Sequence, residues 1–111
     1  MRKELNFLVI LAFGLVSSSS IAAESYPTRP IRFVVPFVAG GGTDLIARML
    51  GKKFTEAWGQ PVVVDNRPGG AGAVGSLLVA QSAPDGYTLI LVTSSTHAIA
   101  PNFHRKPPFD P

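Results

Sequence analysis

The chain of 111 residues carries 10 Lys and Arg against 7 Asp and Glu, a net charge of +3, and 46% of its residues are hydrophobic. It has no cysteine, which excludes disulfide-stapled folds and a lipid-modified cysteine, so burial alone must hold any fold together. Its basic residues are scattered, without the stripe and interleaved aromatics of a nucleic-acid surface; no nucleic-acid partner is expected, and a mildly cationic surface suits capture of anionic solutes.

Residues 1–23 have the layout of a cleavable secretory signal. Arg2 and Lys3 form a basic start, Leu5 to Val16 is apolar apart from Asn6 and Gly14, and the small-residue tail Ser17 to Ala23 follows. Cleavage is expected at Ala22 or Ala23. The apolar run is about a dozen residues, short of the ~20 that a spanning helix needs. Residues 24–111 then form one incomplete α/β domain.

After the Pro-punctuated lead-in Tyr26-Pro27-Thr28-Arg29-Pro30, Ile31 to Phe37 is apolar at nearly every position. That pattern predicts a strand covered on both faces of a parallel sheet. The glycine-rich turn Phe37 to Asp44 follows. From Thr43 to Trp58 the period changes, predicting a helix that buries Leu45, Ile46, Met49, Leu50, Phe54 and Ala57 on one face. Asp44 falls in its first turn, where it favours the helix dipole, caps the helix or positions the turn. Gly59 ends the helix.

Pro61 to Asp65 predicts a second strand, and Asn66 to Gly72 a second glycine-rich turn. Gly72 to Ser82 reads as a shorter helix with Val74, Leu77, Leu78 and Gln81 on one side and Ser76 on the other. Ala83-Pro84-Asp85-Gly86 is a turn in which Pro fixes φ, Asp bonds nearby backbone and Gly takes a positive φ. Tyr87 to Val92 predicts a third strand, running into the polar loop Thr93 to His97 and a loosely helical or irregular tail to Pro111. Strand–helix–strand–helix–strand implies a parallel sheet with flanking helices. All three loops after the strands lie at one edge, where open sheets of this type bind ligands.

Two glycine turns that each open a helix present unpaired backbone N–H groups, which attract anions. A pocket for a small organic acid is the expectation. Gly70-Ala71-Gly72-Ala73-Val74-Gly75 matches the spacing of a dinucleotide fingerprint, but four residues separate it from its strand and no carboxylate ends the next one. The first turn lacks the Lys-Ser/Thr of a P-loop. His97 and His104 have no ligand-type partner at metal spacing, and Ser94 and Ser95 have no oriented base. Neither a metal, a cofactor nor catalysis is expected. Asp65 and Arg67 are expected to pair structurally.

Tyr26 to Phe37, with Ala39-Gly40-Gly41, Asp44 and Ala47-Arg48, closely resembles the start of the tripartite tricarboxylate transporter receptors, the Bug family of periplasmic solute-binding proteins. Gly59 to Gly69 and Pro84 to Leu89 resemble the next two signatures, and Pro101-Asn102 and Pro108 to Pro111 resemble altered forms of later ones. The resemblance implies the first, partial domain of a type II periplasmic-binding-protein fold. It also implies a small organic acid or amino acid as ligand, delivery to membrane permease subunits, and a periplasmic location. Carried over by position, it places ligand binding on Phe37, Ala39, Gly40, Gly41, Asp44, Asn66, Gly70, Ala71, Ser94 and Thr96. Family members are about three times as long, so the expectation is a truncated product whose second domain is missing. The alternatives are a nucleotide-binding α/β enzyme fragment using Gly70 to Gly75, or a fragment without function.

Overall fold

The computed structural model describes residues 25–103 and 105–111; the expected export signal and His104 lie outside the described residues. Strand β1 is Ile31–Val35, buried throughout except at the half-buried Arg32. It ends two residues before Phe37, because Pro36 has no N–H to continue the ladder. The closing bonds come from neighbouring segments: Leu91 N–H donates to the Val34 carbonyl at 2.9 Å and Arg67 N–H to that of Val35 at 2.8 Å. Strands β2 (Val62–Asn66) and β3 (Thr88–Ile90) flank β1, both parallel to it, in the order β2-β1-β3. β3 is shorter than the expected Tyr87 to Val92.

Helix α1 spans Gly42–Trp58. It stops as the sequence predicts, at Gly59 with φ +69°, whose N–H returns to the Thr55 carbonyl. Its buried face differs from the expected one. Asp44, Ala47 and Gly51 are buried against the sheet, while Leu45, Ile46 and Met49 are exposed by more than half and Leu50 by 37%. The small residues explain the reversal. At Gly51 a Cβ would meet the Val62 carbonyl and the Val64 side chain at 3.6 Å, so only a small side chain lets the helix sit this close. Phe54 keeps its expected place, packing on the core of Phe33, Val35 and Ala47, and stacks on Trp58 with ring centroids 4.6 Å apart.

Helix α2 spans Ala73–Ala80, preceded by a tight turn at Gly70–Gly72. Here too the small residues face inward. Gly75 and Ser76 are buried, Leu77 and Leu78 half-buried and Val74 half exposed. A Cβ on Gly75 would lie 3.0 Å from both the Pro36 side chain and the Arg67 carbonyl. Because β1 is central and the chain moves first to one side and then to the other, like-handed crossovers put α1 and α2 on opposite faces.

The lead-in is fastened to the opposite edge of the sheet from the glycine turns. Tyr26 Oη donates to the Gly86 carbonyl, and Thr28 N–H to Tyr87 Oη at 2.9 Å. The Arg29 guanidinium lies 4.1 Å over the Tyr87 ring and 2.8 Å from Asp85. The expected turn chemistry is present: Asp85 accepts from Tyr87 N–H at 3.0 Å and Gly86 has φ +82°.

Candidate functional site: the carboxyl edge of the sheet

The order β2-β1-β3 makes the end of β1 a topological switch point, since the chain leaves β1 towards one side and reaches β3 on the other. Open parallel sheets hold ligands in the crevice at such a point. The loop after β1, the turn after β2 and the loop after β3 all lie there, as the sequence predicts.

Asp44 organises the first loop. Its side chain is 5% exposed and ionised, with its pKa lowered from 3.8 to about 2. Arg48 contributes most, its Nε donating at 2.9 Å. Gly40 N–H (2.9 Å) and Asn66 Nδ2 (2.9 Å) add to it, and together they outweigh desolvation. Asp44 therefore positions the glycine turn and does not cap the helix. The cap residue Gly41 is extended and gives no side-chain bond, so no side chain caps the first turn of α1, which follows a turn in which Gly40 has φ +86°. With its folded pKa below its unfolded one, Asp44 stabilises the fold fully above about pH 4, and that share is lost as pH falls towards 2. Urea midpoints measured from pH 5 to pH 2 should fall less steeply for Asp44→Asn than for the wild type. Equal slopes would show that Asp44 is not the titrating group.

Asn66 joins the loops. Its Nδ2 donates to the Phe37 carbonyl at 3.1 Å as well as to Asp44, while its Oδ1 accepts from Arg48 Nη2 at 3.4 Å. The side-chain amide is thus engaged within the protein, tying the beginning of the first loop to the first turn of α1. Thr96 is 2% exposed and likewise committed: its hydroxyl donates to the Thr93 carbonyl at 2.9 Å and lies 2.9 Å from His97 Nδ1. Its methyl packs on Gly72, so the second and third loops touch. Ser94, Ala39, Gly40, Gly70 and Ala71 are exposed, and Phe37 and Gly41 half-buried. Ala71 adopts a left-handed conformation at φ +54°. His97 is half-buried with its ring 5.2 Å from that of Phe109.

Sequence reasoning left out three contributors. Arg48 was legible as the i+4 partner of Asp44, and Gly72 and Gly75 are close-approach glycines that only the packing identifies. The expected Asp65–Arg67 pair forms at 3.0 Å, and Arg32 joins it from β1. Burial pushes the Asp65 pKa up, but the hydrogen bonds from Arg32 and Arg67 prevail and leave it lowered. This group lines a shallow depression with Pro30 and Val63 along β2. Among the described residues no helix is long and apolar enough to cross a membrane.

Comparison with known proteins agrees with this fold. A sequence model described as the tripartite tricarboxylate transporter family receptor matches residues 46–111. Protein BugT of Bordetella pertussis (strain Tohama I) is 49% identical over 78 residues, covering 70% of this chain and 24% of BugT. An R. palustris protein solved with adipate is 41% identical with a TM-score of 0.72, over 78% of this chain and 29% of that one. MatC from Rhodopseudomonas palustris, solved with bound malate, is 42% identical with a TM-score of 0.56, over 59% and 22%. The chain thus spans less than a third of the length of these relatives. With that receptor model matching more than half of its residues, the chain belongs to the tripartite tricarboxylate transporter receptor family.

Proposed function

We propose that this chain forms the first part of a periplasmic solute-binding site for a small carboxylate, feeding a tripartite transporter through its membrane permease subunits. The observation that carries this reading is the uncapped start of α1, held open by a neighbouring carboxylate whose charge is already neutralised. An isolated aspartate in that first turn would repel an anion. With Arg48, Asn66 and Gly40 on Asp44, the uncapped start of α1 keeps its attraction for one.

The ten expected site residues then divide by role. Gly40, Gly41, Ala39, Gly70, Ala71 and Ser94 offer backbone or hydroxyl groups at the exposed edge, and Phe37 borders them. Asp44, Asn66 and Thr96 position the loops without touching the ligand. The solutes of the two solved relatives, adipate and malate, differ in length and hydroxylation but share terminal carboxylates. Backbone amides recognise that shared group, and membership of a receptor family supports a role in binding. Residues 1–23 act as the export signal, cut near Ala22 or Ala23.

Titration calorimetry of the chain with adipate, malate and adipamide tests the reading. Saturable heat is expected with the two dicarboxylates and none with the uncharged diamide. A cooperatively folded chain that binds neither dicarboxylate, or binds adipamide as well as adipate, refutes it.

A further inference from the structure

Strand β2 is paired on one side only, with β1. The bonds from Ile31 N–H to the Pro61 carbonyl and from Arg67 N–H to the Val35 carbonyl set the phase of that ladder. In a parallel pair alternate residues bond to the neighbouring strand. Val63 and Asp65 therefore turn their backbone groups to β1, and Val62 and Val64 turn theirs to the open edge. Val62 N–H agrees with this phase, donating away from β1 to Thr55 Oγ1 at 3.0 Å. The Val62 carbonyl and both backbone groups of Val64 stay at the edge, where such groups are a template for a further strand. Beside them an open groove of about 490 Å³ lies between α1 and β2, lined by Arg48, Lys52, Thr55, Glu56, Val62 and Val64.

Charge decides what fits there. In the groove Arg48 is neutralised by Asp44 and Glu56 pairs with Lys53, whereas Lys52 has no carboxylate at ion-pair distance among the described residues. Phe33 and Val35 pack towards α1, so Arg32 falls on the other face of the sheet, in register with Val63. Arg32 and Arg67 share the one carboxylate of Asp65, which leaves a positive charge in excess on that face, next to the 55%-exposed Val63. The edge of β2 is thus apolar, with a surplus cation on each face. A second copy of the chain would oppose like charges. The cations that blunt the edge against self-pairing attract a strand of opposite sign. We propose that β2 takes up an extended acidic segment of another protein as an added strand, held by main-chain bonds to Val62 and Val64. One of its carboxylates faces Lys52 and another faces Arg32 and Arg67. Neighbouring residues of a strand point to opposite faces, so adjacent acidic residues flanked by apolar ones meet both cations. This reading does not rest on the proposed solute site.

Fluorescence anisotropy with a labelled, capped peptide of sequence SVEEVS tests the proposal. Saturable binding is expected, and none with SVKKVS. N-methylation of alternate amides, in each of the two frames, separates main-chain pairing from simple charge attraction. One frame faces solvent and should bind as before; the other should bind about tenfold more weakly, the loss expected from one or two hydrogen bonds. Lys52→Gln should weaken SVEEVS by about threefold, the range of an exposed ion pair. With the peptide at about ten times its Kd, hydrogen exchange of the Val64 amide should slow by about tenfold, while the Val63 and Asp65 amides, already in the ladder, change less. No binding of SVEEVS, equal binding of both methylated frames, equal binding of SVKKVS, or unchanged exchange at Val64 overturns the proposal. So does protection of Val64 that rises with chain concentration in the absence of peptide, which assigns the edge to a second copy.

Discussion

Gly72→Ala is expected to destabilise the chain by about 3 kcal/mol, a large fraction of the stability of so small a domain. Two costs add. Gly72 has φ +93°, and holding an L-residue in the left-handed region costs roughly 1–2 kcal/mol. The new methyl would also stand 2.4 Å from Thr96 Cγ2 and 3.3 Å from its Cβ. Thr96 cannot retreat cheaply, being buried with its hydroxyl bound to the Thr93 carbonyl; overpacking of this kind costs about 1–3 kcal/mol. A double-mutant cycle separates the two costs. Thr96→Ser removes Cγ2 and keeps the hydroxyl, so in that background Gly72→Ala should cost only the backbone share. Urea melts are the measurement. A Gly72→Ala chain within ~0.5 kcal/mol of wild type would mean that the second and third loops are not in contact.

Asn66→Ala should cost about 2–3 kcal/mol, the range for leaving several partly buried groups without partners. The Phe37 carbonyl and one Asp44 oxygen each lose their donor, and Arg48 loses an acceptor. Asn66→Asp should be worse. It keeps the size but sets a second carboxylate against Asp44 and the Phe37 carbonyl, replacing two attractive contacts with repulsive ones. If the amide acts as a tie between loops, amide exchange in residues 37–43 should rise in both variants while β1 stays protected. Uniform exchange across the chain at an unchanged melt would show that the tie is absent.

The elements were legible because their signals are local. Gly59, Pro84-Asp85-Gly86 and the apolar run from Ile31 each act over a few residues; the first two behave as read, and the run forms its strand but stops at Val35, before Pro36. The faces of both helices were not. Amphipathic reasoning assumes that large apolar side chains point at the sheet, yet Ala47, Gly51 and Gly75 won those positions because small residues let backbone approach backbone. The apolar count on α1 was right, but it described two faces as one. At the site, the role of Asp44 could be read from its place beside Gly40. Its bond to Asn66, 22 residues away, depends on the pairing of β2 with β1, which no short motif records.

The anchoring of Tyr26, Thr28 and Arg29 to Gly86, Tyr87 and Asp85 has a practical corollary. It fixes the point of entry of the described chain at the end of the sheet remote from the glycine turns. A tether attached upstream of Ser25 therefore leaves the glycine turns facing bulk solvent, so immobilisation through the amino terminus is the orientation of choice for surface-based tests of the proposed binding edge.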